Sequence, residues 1–586
     1  MSISTPQIGQ VSDLIFIIGS NTAECHPLIA RQVIKAQQRG AKLIVSDPRL
    51  TEMAKIADLW IRTPVGYDTP LVNAMLRVII NENLHKADFI AAHTTGFEEV
   101  ARAVQPYTLE VVEKQGGMPA DQIRQAAQMF AKANAAAILW AMGATQFSAG
   151  VGNVVSLVNL AVICGQIGRP GAGVCPLRGQ NNVEGACDMG ALPNEYPGGR
   201  YVTDPNWQAH YEKAWGVKLS NRVGIRASEV PPAILEGKVR ALVVFGENPA
   251  LSDPDSSKFR EEIQKLELLV SIDMFMNETA RYADYVLPAA GWPEKDGTFT
   301  NTERRVQRVR AAVAAPGEAR PDWTIFRDLA ARIGYTGMNY QSAEEIWDEV
   351  RRVEPDVFGG ISYARLDREP GIQWPCPTED HPGTPVLYLD GKFWTADSKA
   401  HLRAVLFHPD YIPDGKALGF KDAICGHIYE HATPDYPFIL TTGRRVTHYH
   451  TGTMTRKSPL LLQLAPEEQI EINPAAAAKL SVRQGDYIKV ETHRGYIVAR
   501  AWVTERVAPG NLFSTFHFWE ACCNELTTAK ALDPISRIPA YKVSAARVTK
   551  STPAEAKAWI SRIGGEYRKN VEESGVGTVG AAARAT

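Results

Sequence analysis

The feature that most constrains this fold is a strand–loop–helix–strand pattern near the start of the chain. An apolar strand, Leu14–Ile18, runs into a polar loop that begins at Gly19, and a helix opened by Pro27 leads to the strand Lys42–Ser46 and then to Asp47. Such a βαβ unit requires parallel strands and a right-handed crossover. Phosphate groups bind at a loop of this kind, and an acid in the position of Asp47 commonly accepts hydrogen bonds from a ribose or base. An ordinary helix-capping loop would also explain these residues.

The same pattern returns later in the chain. The strand Ala241–Phe245 is followed by Gly246 and Asn248, then by a helix around Asp255–Lys265, and by a strand that leads to Asp273. The Gly-to-Asp spacing is 27 residues here and 28 in the first unit, and both loops begin Gly-x-Asn. Neither loop has the G-x-G-x-x-G fingerprint, which disfavours a nicotinamide dehydrogenase. Two matching loops predict either a duplicated architecture or the binding of two nucleotide ends.

Composition sets the broad class. The chain has 586 residues, 45% apolar and 22% charged, with a net charge of −2. This balance predicts a soluble protein of several domains with no nucleic-acid partner. No apolar run reaches the roughly 20 residues of a membrane span, and the N-terminus lacks a signal-peptide pattern, so we expect a cytoplasmic location.

The eight cysteines are scattered, with no C-x-x-C among them. This spacing predicts reduced, mostly buried thiols and no zinc or iron–sulfur site within the chain.

Between the two βαβ units the sequence predicts a helix from Thr69-Pro70 to Leu84, a helix over Pro119–Asn134, a strand at Ala136–Trp140 and an apolar helix at Ser156–Ile167. The polar stretch Leu177–Gly190, L-R-G-Q-N-N-V-E-G-A-C-D-M-G, lacks any apolar period and is predicted to be a loop. A loop this polar lies either on the surface or at the base of a site.

The later segments of the chain have different residue patterns. The alternating arginines of 303–310 are typical of a solvated strand face, although they could bind phosphates. Residues 319–363 are predicted to be helical. Residues 367–435 are predicted to be an irregular connection. Short β-strands from Tyr436 onward predict a barrel or sandwich. They are Phe438–Thr441, Gln469–Ile472, Tyr487–Thr492, Gly495–Val503 and Leu512–Thr515. A helix and a Gly/Ala/Val-rich, disordered end are predicted for the tail.

Several of these segments resemble one family. They are I-F-I-I-G-S-N-T-A-E-C-H-P, S-D-P-R, W-A-M-G-A-T-Q-F, R-G-Q-N-N-V-E-G-A-C-D-M-G-A-L-P, A-D-Y-V-L-P-A-A-G-W-P-E-K-D-G-T-F-T-N-T-E-R-R-V-Q and C-N-E-L-T-T. Over 11–548 the chain resembles the molybdopterin oxidoreductases that bind bis-molybdopterin guanine dinucleotide. The R-G-Q-N-N-V block resembles the formate dehydrogenase branch in particular.

The resemblance implies an α/β fold with two Rossmann-like dinucleotide-binding domains, each with a parallel sheet, followed by a C-terminal β-barrel. The domains expected are 1–180, an incomplete second α/β domain at 181–292, a helical and irregular connecting region at 293–435, the dinucleotide-binding barrel at 436–548 and a tail at 549–586. In the family, an N-terminal segment also contributes strands to the domain that corresponds to 181–292. The chain alone is therefore expected to expose apolar surface and unpaired strand edges in this domain and to be poorly soluble.

The resemblance also implies the site residues. The first dinucleotide would be bound by Asn21, Glu24, Cys25, Asp47, Arg49, Gly66 and Asp68, where the family often has Asn at the last position; contacts near the pterin would come from Met142, Gly143, Gln146 and Gln180. The second dinucleotide would be bound by Gly246, Asn248 and Asp273, and the barrel would contribute Arg444, His448, His450, Asn524 and Tyr541.

Arg178 matches the active-site arginine of the formate dehydrogenase branch. A guanidinium can hold a small carboxylate through two parallel charge-assisted hydrogen bonds, and this fixes the direction of the formate C–H bond. Formate oxidation to carbon dioxide, or its reverse, is the implied reaction.

The implied cofactor is bis-molybdopterin guanine dinucleotide with Mo or W. The family's [4Fe–4S] segment and its selenocysteine or cysteine metal ligand, followed by a histidine, are not matched before Leu14, so the chain holds no metal ligand and is expected to be inactive alone. One hypothesis is a reading frame restarted at Met1 after an in-frame selenocysteine codon. Electron-transfer subunits are the implied partners: iron–sulfur, NAD-, ferredoxin- or quinone-linked proteins, or a hydrogenase.

Two alternatives remain at this point. One is a sister enzyme such as nitrate reductase, which the R-G-Q-N-N-V block disfavours. The other is a non-catalytic scaffold that binds the cofactor without a metal ligand.

Overall fold

The computed structural model describes residues 1–573, and its chain forms two compact units. Unit 1 comprises Met1–Gly179, Ser252–Ser256 and Val386–Ile563, and unit 2 comprises Gln180–Leu251, Ser257–Pro385 and the end of the last helix from Gly564. The predicted disordered end of the tail lies outside the described residues. Within them, no helix has both the length and the apolar character needed to cross a lipid bilayer.

Unit 1 begins with a sheet of five parallel strands in the order β3-β2-β1-β4-β5. The strands are β1 (Leu14–Ile18), β2 (Lys42–Ser46), β3 (Leu59–Ile61), β4 (Ala136–Trp140) and β5 (Gly173–Pro176). Every residue of β1 and β4 is buried, which explains their unbroken apolar runs. The strand order reverses between β1 and β4, and the crevice at the carboxyl ends of such strands is where open α/β sheets bind ligands.

Helices cover both faces of this sheet. Phe16 packs in a core with helices Asp68–Asn81, Ala120–Lys132 and Gly150–Ile163, whereas Ile15 packs on the opposite face with helix Pro27–Gln38. The other helices of this part of the chain are Thr5–Gln10, Thr22–Cys25, Glu52–Lys55, Ala87–His93, Phe97–Ala103, Leu109–Gly116 and Met142–Thr145.

Unit 2 contains a smaller parallel sheet in the order β8-β7-β6. Its strands are β6 (Ala241–Phe245), β7 (Leu268–Asp273) and β8 (Tyr285–Pro288). β6 is an edge strand, and the side chains of Val243 and Phe245 on one of its faces are each 49% exposed. This edge and its apolar face agree with the predicted exposure of domain 181–292.

The arginine-rich segment of unit 2 lies in an antiparallel sheet formed by β9 (Gly297–Thr300), β10 (Arg305–Val309) and β11 (Ile372–Gln373). Arg305 pairs with Glu303 at 2.8 Å and Arg310 with Asp367 at 2.5 Å, so these side chains are engaged within the protein. Helices of unit 2 are Val183–Asp188, Pro205–Trp215, Val230–Leu235, Ser256–Ile263, Asp322–Arg332, Ala343–Val353, Pro355–Phe358 and Tyr363–Leu366, and Pro249–Ser252 joins the two units.

A closed six-stranded barrel completes unit 1. It follows two short parallel strands, β12 (Val405–Phe407) and β13 (Ile424–Gly426). The barrel strands are β14 (Phe438–Gly443), β15 (Gln469–Ile472), β16 (Tyr487–Glu491), β17 (Tyr496–Val503), β18 (Asn511–Thr515) and β19 (Ser544–Lys550), in the order β14-β18-β15-β17-β16-β19. Helices Pro459–Leu464, Pro474–Lys479 and Pro553–Glu573 accompany it.

The parallel sheets and the barrel confirm the α/β class predicted from the sequence. The predicted loop Leu177–Gly190 is wrong in part, because Val183–Asp188 is helical. Asn182, at φ 64°, precedes this helix, and its side-chain oxygen accepts a hydrogen bond from the backbone N–H of Thr300 at 2.9 Å. This long-range contact leaves no periodic signal in the local sequence.

Two helix boundaries also differ. The helix expected to start at Ser156 starts at Gly150, because the buried carboxylate of Asp533 accepts the backbone N–H of Val151 at 3.0 Å and stabilises a glycine-containing first turn. The helix expected from Thr69 starts at Asp68, and the Thr69 hydroxyl donates to the side chain of Asn153 instead of capping.

Candidate functional site

Two loops meet at the point where the first sheet reverses its strand order. A Cβ atom on Gly19, after β1, would lie 2.4 Å from the backbone nitrogen of Ala144, and one on Gly143, after β4, would lie 2.4 Å from the carbonyl oxygen of Gly19. Gly19 also has φ +56°, which an L-residue rarely adopts. The backbones of the two loops are therefore in direct contact, and glycine is required at both positions.

Polar atoms that lack well-formed hydrogen bonds lie in the loop after β1. Both amide atoms of Asn21 are buried, and neither makes a well-formed hydrogen bond to a described residue. Nearby, Glu24 accepts a hydrogen bond from Arg506 at 2.7 Å. Burial would raise the pKa of Glu24, but hydrogen bonding to Arg506 and Asn21, together with the charge of Arg506, outweighs this effect, so the pKa lies below its usual value. A buried, unsatisfied amide is costly, and a bound polar ligand would satisfy it.

Two cations from the barrel face this loop. Lys542 is buried, and its ammonium donates to the carbonyl oxygen of Thr442 at 2.7 Å. Burial, together with the charge of Arg444, lowers the pKa of Lys542 to about 8, although the Cys25 thiol acts in the opposite direction. Burial raises the pKa of Cys25, which keeps the thiol neutral. The cluster of Lys542 and Arg444 beside Cys25 is suited to an anion.

Carboxylates lie at the carboxyl ends of β2 and β3. Burial raises the pKa of Asp47 to about 6, and burial together with the charge of Asp47 raises the pKa of Asp68 to about 7. Asp47 accepts the backbone N–H of Arg49 at 2.9 Å. The Arg49 guanidinium forms a bidentate pair with Glu471 of β15 and lies 3.4 Å from the centre of the Phe513 ring.

The barrel loop 444–450 is held by histidines. His448 is buried, and its ring nitrogens lie 3.1 Å from Thr455 Oγ1 and 2.8 Å from the Ala465 carbonyl, so both are engaged within the barrel. His517 donates to the His450 carbonyl and accepts the backbone N–H of Arg445 at 3.0 Å. Burial lowers the pKa of His450 to about 4 and that of His517 to about 3, so both rings are neutral near pH 7.

Arg178 lies two residues after the end of β5, at the same carboxyl edge of the sheet. The preceding residue, Leu177, is buried and donates its N–H to the Trp140 carbonyl at 2.8 Å. The Arg178 carbonyl lies 2.7 Å from Nε2 of His26, in the loop after β1. Gly179 lies against Arg444, because a Cβ atom there would be 2.9 Å from Nη1 of that side chain.

The remaining residues predicted for unit 1 are placed as follows. Gly66 has φ +89°, and a Cβ there would lie 3.2 Å from Ile428. Met142 begins helix Met142–Thr145, and its carbonyl accepts the N–H of Gln146 at 3.0 Å. Buried Asn524 donates to the Ser252 carbonyl at 3.0 Å, and the Tyr541 carbonyl accepts the Thr442 hydroxyl at 2.9 Å.

Four predicted residues belong to unit 2. Gly246 has φ +64° with open space at its Cβ position, and its loop is held by Asn248, whose amide donates to Glu278 at 2.7 Å and accepts from Thr279. Asp273 accepts the backbone N–H of Met274 at 2.6 Å. Gln180 is the first residue of this unit.

Sequence reasoning missed several residues that the barrel brings to the loops of the first sheet. Lys542, Arg506, Glu471 and His517 lie far along the chain from Asn21 and Asp47, in segments with no distinctive pattern. Only the position of Lys542 beside Tyr541 offered a local signal.

Comparison with known proteins agrees with this architecture. The Molybdopterin oxidoreductase family model matches residues 3–332, and the Molydopterin dinucleotide binding domain model matches residues 438–545. The F420-dependent formate dehydrogenase 1 subunit alpha of Methanococcus maripaludis is 44% identical over 541 residues, which are 92% of this chain and 76% of that protein.

Two further comparisons extend the picture. The assimilatory nitrate reductase catalytic subunit of Bacillus subtilis is 37% identical over 541 residues, covering 91% of this chain and 74% of that one. The structure of acetylene hydratase from Pelobacter acetylenicus superposes with a TM-score of 0.72 at 22% identity, over 93% of this chain and 81% of that one, which shows a shared fold.

The family models cover both the first sheet and the barrel, and the identity to full-length relatives extends over nine-tenths of the chain. The chain belongs to the molybdopterin oxidoreductase family.

Proposed function

We propose that this chain is the catalytic subunit of a molybdenum- or tungsten-dependent formate dehydrogenase, oxidising formate to carbon dioxide or running the reverse reaction. The observation that carries the proposal is the placement of Arg178. It lies at the carboxyl edge of the first sheet, and its carbonyl oxygen is held by His26 of the loop after β1, the loop that begins at Gly19. The 44% identity to a formate dehydrogenase alpha subunit exceeds the 37% identity to a nitrate reductase and supports formate as the substrate.

The residues of unit 1 fit a dinucleotide. The buried amide of Asn21, which makes no well-formed hydrogen bond to a described residue, offers a donor and an acceptor, and the buried Lys542 and half-buried Arg444 offer positive charge for phosphate groups. The close approach of Gly19 and Gly143 brings backbone groups to the surface of the crevice. When bound, the molybdopterin guanine dinucleotide supplies the metal centre that accepts the two electrons of the reaction.

Within this proposal the predicted residues divide between two dinucleotides. In unit 1, Asn21 and Cys25 with Lys542 and Arg444 would bind the phosphates of the first, and Asp47 and Asp68 would bind its guanosine end. In unit 2, the open position over Gly246, with the loop fixed by Asn248 and Asp273, would bind the second. The domain boundaries 1–180, 181–292, 293–435 and 436–548 belong to the same proposal.

Some residues that the resemblance assigns to cofactor binding would have a structural role instead. Arg49 and Glu24 are engaged by Glu471 and Arg506, so they would join the first sheet to the barrel around the cofactor. His448 would hold the barrel loop, because both of its ring nitrogens are already engaged. Met142, Gly143 and Gln146 would line the pterin end, with Gly66, Gln180, Asn524 and Tyr541 as further contacts.

Arg178 would bind formate through two parallel charge-assisted hydrogen bonds to its carboxylate oxygens. This arrangement fixes the direction of the formate C–H bond, which is a positioning contribution to the rate. Formate then loses a proton and two electrons as it becomes carbon dioxide. We propose that the electrons leave through an iron–sulfur cluster to an electron-transfer subunit.

The test uses the holoenzyme, purified with its native subunits and assayed for formate-driven viologen reduction. We expect Arg178→Ala to lower kcat/KM for formate on the order of 100-fold or more, with pterin and metal content unchanged. Reduction of nitrate by reduced viologen, without formate oxidation, would assign the nitrate reductase alternative. A fully metal-loaded holoenzyme active in neither assay would favour a non-catalytic scaffold.

A further inference from the structure

We propose that His26 is a positioning residue for Arg178: the hydrogen bond from its Nε2 atom to the Arg178 carbonyl sets the direction in which this arginine meets formate. The inference rests on the proposed function of Arg178 and adds a residue that acts through it.

The contact is specific. Nε2 of His26 lies 2.7 Å from the carbonyl oxygen of Arg178, although the two residues are 152 positions apart. A carbonyl only accepts hydrogen bonds, so Nε2 carries the proton. Burial lowers the pKa of His26, and the bond to Arg178 opposes this effect in part. The ring is therefore neutral near pH 7, as the Nε2–H tautomer.

The ring has one anchor. Its Nδ1 atom is buried and has no hydrogen-bond partner among the described residues. His26 lies between helix Thr22–Cys25 and helix Pro27–Gln38, with φ −140° and ψ 59°, so the chain on both sides fixes its Cα position. The half-buried ring is held at its Cα by the flanking helices and at Nε2 by the Arg178 carbonyl, so it connects the loop after β1 to the loop after β5.

Arg178 needs such a support because strand hydrogen bonding ends just before it. The backbone of Leu177 is still held by β4 through its N–H bond to Trp140. Further along the chain, His26 lies against the Arg178 carbonyl and Arg444 lies against Gly179. The peptide between Arg178 and Gly179 is thus restrained at its carbonyl by His26, and release of that carbonyl would remove a restraint on the ψ rotation of Arg178.

Rotation about ψ moves the carbonyl and the following loop relative to the arginine side chain. A guanidinium that must meet a carboxylate with two parallel hydrogen bonds tolerates little misalignment. A displacement of about 1 Å in a positioning group can lower the rate about 100-fold. We therefore expect the loss of the His26 bond to lower kcat/KM for formate by about 10- to 100-fold.

The experiment compares three substitutions of His26 in the holoenzyme with its native subunits. Glutamine places an amide N–H near the position of Nε2, asparagine reaches only to about Nδ1, and alanine has neither. His26→Asn and His26→Ala should raise KM for formate and lower kcat/KM by about 10- to 100-fold, whereas His26→Gln should recover most of the loss. KM for the viologen acceptor should not change, which a general structural defect would not allow.

A matched control is His93 in the same unit, whose Nδ1 lies 3.0 Å from the Gly391 carbonyl. The His93→Asn and His93→Ala variants should keep the wild-type kinetic constants. In an Arg178→Lys background, His26→Ala should cost less than in the wild type, because the two residues act as one unit.

The outcomes separate the two proposals. If Arg178→Ala leaves formate oxidation unchanged, the proposed function of Arg178 is wrong. If Arg178→Ala is impaired but His26→Ala matches the wild type, or if His26→Gln is as impaired as His26→Ala, only the positioning role is overturned.

Discussion

Arg49 and Glu471 lie 422 positions apart and form a buried bidentate ion pair, with Nη2–Oε1 at 2.7 Å and Nε–Oε2 at 3.1 Å. Arg49 follows the second strand of the first sheet, and Glu471 lies in barrel strand β15. The pair therefore links the carboxyl edge of the sheet to the barrel within unit 1. A second link, between Glu24 and Arg506, lies beside it.

Removal of one partner should be costly because it leaves a buried charge uncompensated. We expect Glu471→Gln to destabilise unit 1 by about 3–5 kcal/mol, seen as a lower Tm of the holoenzyme. The double variant Arg49→Met, Glu471→Leu should lose much less. The control is Glu267→Gln, which breaks an exposed pair with Arg240 and should lower Tm far less, because solvent screens this pair. Equal losses for Glu471→Gln and Glu267→Gln would contradict the role of burial.

Asp68 should make stability fall as the pH rises. Its pKa of about 7 in the folded chain lies above the ordinary 3.8, so the folded state binds the proton more tightly between these values. The stability of the cofactor-free chain should thus decline from about pH 4 to about pH 7 and then level off. Asp68→Asn should flatten this decline and raise Tm at pH 8.

A surface carboxylate provides the control for Asp68. Asp58 pairs with Lys42 at 2.8 Å, and although burial would raise its pKa, this pair and the Leu43 N–H hold the pKa below its usual value. The sign is then reversed: its stabilisation is present above the ordinary pKa and is lost as the pH falls through the folded pKa. Asp58→Asn should lower Tm at pH 7, and a rise in Tm there would count against the assigned signs.

Gly19 should not tolerate alanine. The substitution adds a left-handed backbone penalty of about 1 kcal/mol and a 2.4 Å contact with the backbone of Ala144. Gly117 has φ +67° and open space at its Cβ position, so an alanine there would incur only the backbone penalty. We expect Gly19→Ala to lower both Tm and the pterin content of the purified protein, and Gly117→Ala to lower Tm slightly with full pterin content. Similar pterin content in the two variants would argue against the loop contact as part of the cofactor site.

Substitution of Lys542 should change the pH dependence of stability in the cofactor-free chain and the pterin content of the holoenzyme. Its pKa of about 8 lies below the ordinary 10.5, so between these pH values the unfolded state binds more protons than the folded state. The stability of the cofactor-free chain should therefore rise from about pH 8 to about pH 10.5. Lys542→Met should remove this rise. In the holoenzyme the same variant should retain less pterin, because a phosphate loses its buried cation. Full pterin retention would remove Lys542 from the proposed site.

The exposed face of β6 should limit solubility. Val243 and Phe245 are each 49% exposed on an edge strand. Contiguous apolar surface on a strand edge promotes association. We expect this chain expressed alone to aggregate, and Val243→Lys with Phe245→Lys to raise its soluble fraction. Leu28→Lys, at an exposed but isolated leucine, should change nothing. A soluble, monomeric unmodified chain would contradict the expectation.

The sequence alone determined the elements whose signals are local. The strands β1, β2 and β4 and the helix from Pro27 follow the prediction because buried parallel strands are apolar without interruption and Pro and Gly mark helix ends. The repeated Gly-to-Asp spacing predicted two similar loops, and the resemblance to the family came from several motif segments, among them the R-G-Q-N-N-V block. Arg178 was predicted to lie at a substrate position, and it remains a proposal.

Tertiary structure decided which distant residues meet. The helix Val183–Asp188 depends on a contact between Asn182 and Thr300, and the start of helix Gly150–Ile163 depends on Asp533, so neither had a local signal. Lys542 and Glu471 reach the loops of the first sheet only because the barrel closes beside them. Their burial and altered pKa values are properties of the assembled environment, since desolvation and charge act through space and not along the chain.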